Sequence, residues 1–204
     1  MERPPGPDRR ADRVSIPSND QGVSIMTKDF IKLVQRHIGS KSIGPSTARG
    51  MGPKKTIPKV RTYLGGLDLR PFKVRSEAAF LRVLERRTLE LKMKMPRPAR
   101  HWGSARKFLN IFLRNCLYDR YICNHYGLQI LEPWLEVPLD SQVAKGLKSE
   151  PGADFLPRWK TVIGLERELS EEYQAFATKV ALAKGLKRVH LDLVYWRGNA
   201  RGAR

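Results

Sequence analysis

Acidic residues are scarce in this sequence relative to basic ones: 20 Asp and Glu stand against 39 Lys and Arg, which leaves a formal net charge of +19. This excess is larger than solubility requires, so it favours a polyanionic partner. The sequence also lacks a run of about eighteen uncharged apolar residues, the minimum for a membrane-spanning helix. Its first residues do not follow the basic-then-apolar pattern of a secretion signal. We therefore expect nucleic acid rather than a membrane as the partner, and a cytoplasmic location.

Cysteine and histidine are scarce as well, with two Cys and four His in the chain. Cys116 and Cys123 lie in an apolar, helix-like segment, which predicts buried structural thiols rather than a disulfide. The histidines show no paired metal-ligand spacing, and two thiolates are too few for an iron–sulfur cluster. We therefore expect no metal and no cofactor. The four histidines are His37, His101, His125 and His190.

Strand-like alternation of apolar and polar residues is also rare, whereas apolar residues recur at helical spacing in several segments. The fold class expected is therefore mostly α, with residues 26–204 as a single helical domain and a monomer as the oligomeric state. Residues 1–25 have little apolar periodicity and are predicted to be a disordered tail. The predicted helices run from Thr27 to Gly39, Ser76 to about Lys94, Ser104 to Tyr118 and Ser170 to Gly185, while 189–196 is buried as helix or strand.

The positive charge is concentrated in one region of the sequence. Residues 26–75 contain twelve Lys and Arg against two acidic residues. Within this region, 44–58 has too many Gly and Pro residues for a helix and carries Arg49, Lys54 and Lys55. These three side chains are predicted to grip DNA phosphates; the alternative is a solvated linker.

The segment 104–118 places a polar face opposite a wide apolar stripe. Residues at offsets of 3, 7 and 11 from Lys107 lie on the same side of a helix as Lys107 itself. They are Asn110, Arg114 and Tyr118. If Ser104 caps this helix, Lys107 lies in its first turn, where the helix dipole and Arg106 disfavour the charged amine. A neutral amine is a nucleophile. The alternative is a solvated lysine that contacts phosphates.

A second segment, 137–147, has an extended apolar start followed by a short helical pattern. Asp140 stands at the junction, where it is predicted to cap the helix by accepting hydrogen bonds from free backbone N–H groups. A carboxylate held in this way stays ionised and fixed in direction, which suits it to stabilise a cationic intermediate.

Together, Arg106-Lys107-Phe-Leu-Asn110 and Val137-Pro-Leu-Asp140-Ser-Gln-Val143 resemble the two signatures of the helix-hairpin-helix DNA glycosylase/lyases. Asp140 follows Lys107 by 33 residues, a spacing similar to that of the archaeal 8-oxoguanine glycosylase branch. The family's hairpin usually reads Leu-Pro-Gly-Val-Gly, and here only Gly103 is left to approach a phosphate. Gln142 stands where many members carry His.

The resemblance implies a two-lobed helical fold and an enzyme that flips a modified base out of double-stranded DNA and excises it, with a possible lyase step. Lys107 would attack the sugar, and Asp140 would stabilise its positive charge. The base would be an oxidised purine or a modified base of phage DNA, as an antiviral defence. Further DNA contacts are assigned to Gly103, Arg106, Asn110 and Arg114, and the base pocket to His101, Trp102, Tyr118, Trp134, Gln142, Asp192 and Trp196.

Two other functions are weighed against this one. A basic helical domain with a hairpin-like turn is also expected of a non-catalytic nucleic-acid-binding protein. A metal-dependent nuclease would need Glu132, Glu136 and Asp140 on one face, and Pro133 and Pro138 interrupt that spacing.

Overall fold

A computed structural model describes residues 27–198, with side chains up to Trp196. The predicted tail, 1–25, lies outside the described residues. The described part forms eight α-helices and no β-strand, which confirms the mostly α fold class. The helices are α1 Lys28–Ser42, α2 Thr56–Gly65, α3 Glu77–Lys94, α4 Trp102–Tyr118, α5 Arg120–Tyr126, α6 Ser141–Lys148, α7 Arg167–Ala183 and α8 Leu191–Gly198.

Buried apolar side chains form two clusters, and α4 takes part in both. The larger cluster lies among α1 to α5 and contains Phe108 and Phe112 from α4. The smaller one joins α6, α7 and α8 and includes Trp102 from the start of α4. Because α4 lies between the two clusters, its side chains are buried on almost every face from Trp102 to Leu113.

Local capping signals predicted several helix ends correctly. Ser76 precedes α3 and accepts a hydrogen bond from the Ala79 backbone N–H, and α3 ends before Met95 as predicted. The start of α7 was predicted wrongly, because this helix begins at Arg167 and buries Ser170 inside it. Its end was predicted correctly, since Gly185 follows with a φ of +66°.

The prediction that α1 stops at Gly39 is wrong, because the helix continues to Ser42. A Cβ on Gly39 would lie 2.7 Å from the backbone nitrogen of Gly65. Glycine is therefore required here for the close crossing of α1 and α2. The prediction missed α2, although its Pro58 lies in the first turn, where proline is tolerated because that N–H has no helical partner.

The start of α4 also differs from the prediction. The helix begins at Trp102 with His101 as N-cap, so Ser104 is a buried residue of the first turn and not the cap. Lys107 therefore lies in the second turn. A Cβ on Gly103 would lie 2.2 Å from the carbonyl oxygen of Val162. Gly103 therefore allows a close approach to this chain's own backbone and not to a phosphate. Its assignment as a phosphate contact is wrong.

Candidate active site

Lys107 and Asp140, 33 residues apart in the sequence, meet in the structure. The Nζ atom of Lys107 lies 3.4 Å from Oδ2 of Asp140. Lys107 is only 6% exposed and Asp140 only 7%. The pair thus places an amine and a carboxylate side by side where water has little access.

Backbone hydrogen bonds fix the orientation of the Asp140 carboxylate. Asp140 is the N-cap of α6, and its Oδ1 accepts from the backbone N–H groups of Gln142 and Val143 at 3.0 Å each, as predicted. Gln174 of α7 holds the extended segment before Asp140. Its side-chain amide accepts a hydrogen bond from the Val137 N–H and donates one to the Val137 carbonyl. With Oδ1 used for the cap, Oδ2 is left facing Lys107.

Burial lowers the pKa of the Lys107 amine, and the neighbouring Asp140 charge opposes the shift without cancelling it. The predicted direction is therefore correct but its cause is not. Since Lys107 lies in the second turn of α4, loss of solvent replaces the helix dipole as the reason. A lysine with a lowered pKa has a larger neutral fraction near neutral pH, which nucleophilic attack requires.

The loop between α1 and α2 reaches over this lysine. Its Thr47 carbonyl accepts a hydrogen bond of 3.1 Å from Nζ of Lys107. The same loop carries Arg49, Lys54 and Lys55, all of which are exposed, as phosphate contacts would need to be. The loop thus connects an exposed cationic surface to the buried amine.

If this loop grips DNA, removing its cations should weaken the salt dependence of binding. We expect the combined change of Arg49, Lys54 and Lys55 to Ala to flatten the slope of log K against log salt by about 0.9 for each duplex phosphate that these side chains neutralise. The measurement is fluorescence anisotropy with a short non-specific duplex over a range of salt concentrations.

The matched control removes three exposed cations from α3, namely Arg82, Arg86 and Lys94. It changes the net charge equally but leaves the loop intact. A slope that is the same in both variants would remove the loop from the DNA interface.

Arg106 and Asn110, predicted as DNA contacts, are instead buried in an ion-pair network. The Arg106 guanidinium donates two hydrogen bonds of 2.8 Å to Glu136, and Asn110 donates a third, also 2.8 Å, to the same carboxylate. A further guanidinium nitrogen contacts Glu85 at 3.3 Å and Thr88 at 3.1 Å. Both predicted side chains are almost fully buried, so they cannot reach a phosphate in this arrangement.

This network ties the two segments that carry the candidate pair. Arg106 immediately precedes Lys107, and Glu136 lies four residues before Asp140. Burial raises the pKa of Glu136, but the Arg106 charge and the hydrogen bonds from Arg106 and Asn110 outweigh it, so the pKa lies below the ordinary value. Glu136 is therefore ionised and holds α4 against the segment that leads to Asp140.

Glu136→Gln should destabilise the fold by about 3–5 kcal/mol, because it keeps the shape but leaves the buried Arg106 charge without its main partner. Urea unfolding measures the loss, and Glu168→Gln, an exposed position on α7, is the matched control. The difference in free energy of unfolding between wild type and Glu136→Gln should shrink as the pH falls through the lowered pKa of Glu136. Protonation of Glu136 in the wild type removes the same charge that the substitution removes. A loss no larger than that of the control would contradict this role.

Arg114, Tyr118 and Asp192 lie together where α4 meets the start of α8. Arg114 forms an ion pair with the buried Asp192, which corrects its assignment as a phosphate contact. Trp196 lies one turn after Asp192 and is 48% exposed. Since Arg114 and Tyr118 follow Lys107 at offsets of 7 and 11, they share its face of α4.

His190 and Glu132, neither of which was predicted for this pocket, also belong to this group. The Tyr118 hydroxyl lies 2.7 Å from Nδ1 of His190, and the two rings stack. The other ring nitrogen of His190 lies 2.8 Å from the Glu132 carboxylate. His190 belongs to the turn before α8, and no sequence spacing relates it to Tyr118.

Of the other predicted pocket residues, Trp102, Trp134 and His101 make their contacts elsewhere, and Gln142 lies beside Asp140. Trp102 donates to Glu85 and lines a separate cavity of about 970 Å³ between α3 and α7. Trp134 packs against the larger hydrophobic cluster, and His101 lies 3.2 Å from the Pro98 carbonyl. Gln142 is exposed beside Asp140, with only its backbone N–H bonded to the carboxylate.

Cys116 and Cys123 are buried and unbridged, as predicted for structural thiols. Among residues 27–198, no three His, Cys, Asp or Glu side chains are grouped as metal ligands would be. The three carboxylates of the nuclease alternative have separate partners: Glu132 contacts His190, Glu136 contacts Arg106 and Asp140 contacts Lys107. No helix of the described part is both long and apolar enough to span a bilayer.

No protein-family model, curated protein or solved structure matches this chain. The two short motifs and the geometry of their residues are therefore the features of this chain that bear on its function.

Proposed function

We propose that this chain is a DNA glycosylase that flips a modified base out of double-stranded DNA and excises it, with Lys107 as nucleophile. The observation that carries the proposal is the buried contact between the Lys107 amine and the Asp140 carboxylate, 3.4 Å apart. A lowered lysine pKa and a carboxylate of fixed direction are what nucleophilic attack on a sugar carbon needs.

In the proposed reaction, the neutral amine forms a bond to the anomeric carbon as the bond from that carbon to the base breaks. The base leaves with the electron pair and takes up a proton. The Asp140 carboxylate stabilises the positive charge that develops on the sugar and accepts the proton that the attacking nitrogen loses. Ring opening then yields a Schiff base between Lys107 and the sugar, from which β-elimination breaks the strand or water releases an abasic site.

The burial of Lys107 argues against a purely electrostatic role for it. A lysine that binds phosphate gains most when it is exposed and remote from acids, whereas Lys107 is 6% exposed and faces a carboxylate. A phosphate placed beside it would be repelled by Asp140. The exposed Arg49, Lys54 and Lys55 suit phosphate binding far better.

The base pocket is proposed to lie beside the Arg114–Asp192 pair, bordered by Tyr118 and Trp196. A charged pair with further hydrogen-bonding capacity can bind the edge of a base, and exposed aromatic rings can stack on its face. The substrate class is an oxidised purine or a hypermodified base of phage DNA.

A non-catalytic nucleic-acid-binding protein is the second candidate, and the net charge of +19 favours it equally. The two are separated by incubating the protein with duplexes that each contain one damaged or hypermodified base and assaying for abasic sites. The glycosylase proposal expects abasic sites in at least one duplex and none in the unmodified one. DNA binding without abasic sites in any duplex would favour the non-catalytic candidate.

A further inference from the structure

A second basic surface lies in a groove of about 950 Å³ between α1, the segment after α2 and the end of α5. Among the described residues that line it, the single acidic side chain, Asp68, is paired with Arg70. Lys32 also lies 3.6 Å from Asp29, but both are largely exposed, so this pair is weak. Five exposed basic side chains line the groove: Lys28, Lys32, Arg36, Arg70 and Lys73.

This groove lies along the first part of α1, whereas the loop that reaches Lys107 follows the end of that helix. Its residues on α1 belong to the first nine positions of the helix, whereas the loop follows the helix's last residue, Ser42. At 1.5 Å per residue, Ser42 lies about 9 Å along the helix from Arg36 and about 21 Å from Lys28. The positive charge of 26–75 is thus divided between two surfaces.

The basic side chains stand on both walls of the groove. Lys28, Lys32 and Arg36 follow one another every four residues, so they form a row along α1 with a spacing of about 6 Å. Lys73 and Arg70, the latter paired with Asp68, line the groove from the segment after α2. A row of cations with further cations in the same groove matches a chain of phosphates better than it matches one isolated anion.

The floor of the groove has no polar side chain free for a ligand. Ile31 and Leu67 are buried there, and the amide of buried Gln35 donates to the carbonyls of Leu64 and Leu67 at 3.3 and 2.7 Å. At one end lie exposed His125 and half-buried Tyr126, whose rings contact each other edge to face. Cationic walls with aromatic rings at one end are typical of surfaces that bind single-stranded nucleic acid.

We infer that this groove binds a single strand of nucleic acid, with its phosphates between the two cationic walls and a base against the His125–Tyr126 rings. The bases of a single strand are free to stack on these rings, whereas those of a duplex are already paired and stacked on one another. The site is separate from the Lys107–Asp140 site and does not depend on the proposed chemistry. It would hold the protein on DNA that is partly single-stranded.

The test compares two triple variants of the full chain in binding a fluorescein-labelled oligothymidine of about 20 nucleotides and a blunt duplex of equal length. The groove variant changes Lys28, Lys32 and Arg36 to Ala. It should bind the oligothymidine at least tenfold more weakly than wild type, with a salt slope lower by about 2, since three phosphates are no longer neutralised. Its affinity for the duplex should change by less than about twofold, because phosphate contacts to the duplex are assigned to the other surface.

The matched control changes Arg82, Arg86 and Lys94 on α3, which are equally exposed, and should lose less than about twofold for either probe. Equal losses in both variants would mean that only net charge matters and would overturn the inference. If the groove variant bound the duplex more weakly and oligothymidine as wild type does, the groove would be a duplex surface and the inference would be wrong. Unchanged affinity of the groove variant for both probes would also overturn the inference. Lys107→Gln should bind oligothymidine with the wild-type affinity. The groove inference can therefore be correct even if the glycosylase proposal is wrong.

Discussion

Replacing Lys107 by Gln is expected to abolish borohydride trapping of the protein on a cognate duplex and to reduce base excision by about 10³-fold or more. Glutamine keeps most of the length of the side chain and can donate to Asp140 and to the Thr47 carbonyl, but it leaves the buried Asp140 carboxylate without its charged partner, so the fold should lose about 3–5 kcal/mol. The reason for the large kinetic effect is that an amide has no lone pair available to attack the sugar. Excision is measured in single-turnover assays, and trapping by gel shift after reduction.

Lys107→Arg separates nucleophilic attack from simple charge. Arginine stays protonated, so it keeps the positive charge but cannot form a Schiff base. It should therefore be as inactive as Lys107→Gln. In the wild type, the rate should rise with pH through the lowered pKa of Lys107, because the neutral fraction of the amine increases. Base release that survives in Lys107→Gln would make the enzyme monofunctional, with Asp140 activating water.

Asp140→Asn should lower the rate of excision by about 10²- to 10³-fold, the size of effect seen when one stabilising group is removed from a charged transition state. Asn is as good an N-cap as Asp, so the hydrogen bonds from the Gln142 and Val143 N–H groups are kept, but the buried Lys107 amine loses its carboxylate partner, so the free energy of unfolding should fall by up to about 3–5 kcal/mol. The measurement pairs single-turnover excision with urea unfolding of the same preparation.

The control for this prediction is Asp154→Asn, an exposed carboxylate in the turn region between α6 and α7, which should leave both rate and stability unchanged. If Asp140→Asn excised its base at the wild-type rate, the assignment of this site would be wrong. If it unfolded far more readily than expected, the carboxylate charge would be needed to hold Lys107 rather than for the reaction.

Helix ends set by neighbouring residues could be predicted from the sequence, because a cap is a local interaction. Ser76 and Asp140 each bond backbone N–H groups within three residues, and a pattern of Ser or Asp before an apolar run is enough to indicate this. The role of Gly39 was predicted wrongly because it depends on Gly65, in another helix. That close approach exists only after α1 and α2 have packed, so no local pattern indicates it.

In the candidate site, too, contacts between segments distant in the sequence could not be predicted from local patterns. The pairing of Lys107 with Asp140 was predicted through the resemblance of two short motifs, and the structure brings the two residues together. Arg106 and Asn110 were predicted as DNA contacts through the same resemblance, and the motif that contains them does not show what covers their side chains. Their partner, Glu136, comes from a segment at least 26 residues away.

The most direct measurement of the central claim is the location of the covalent bond in the borohydride-reduced complex of the wild-type protein with a cognate duplex. After digestion, mass spectrometry identifies the peptide and the lysine that carry the sugar fragment. A reduced adduct on Lys107, together with release of the base, is the result we predict. Release of the base with the adduct on a different amine would contradict the assignment of Lys107 as the nucleophile.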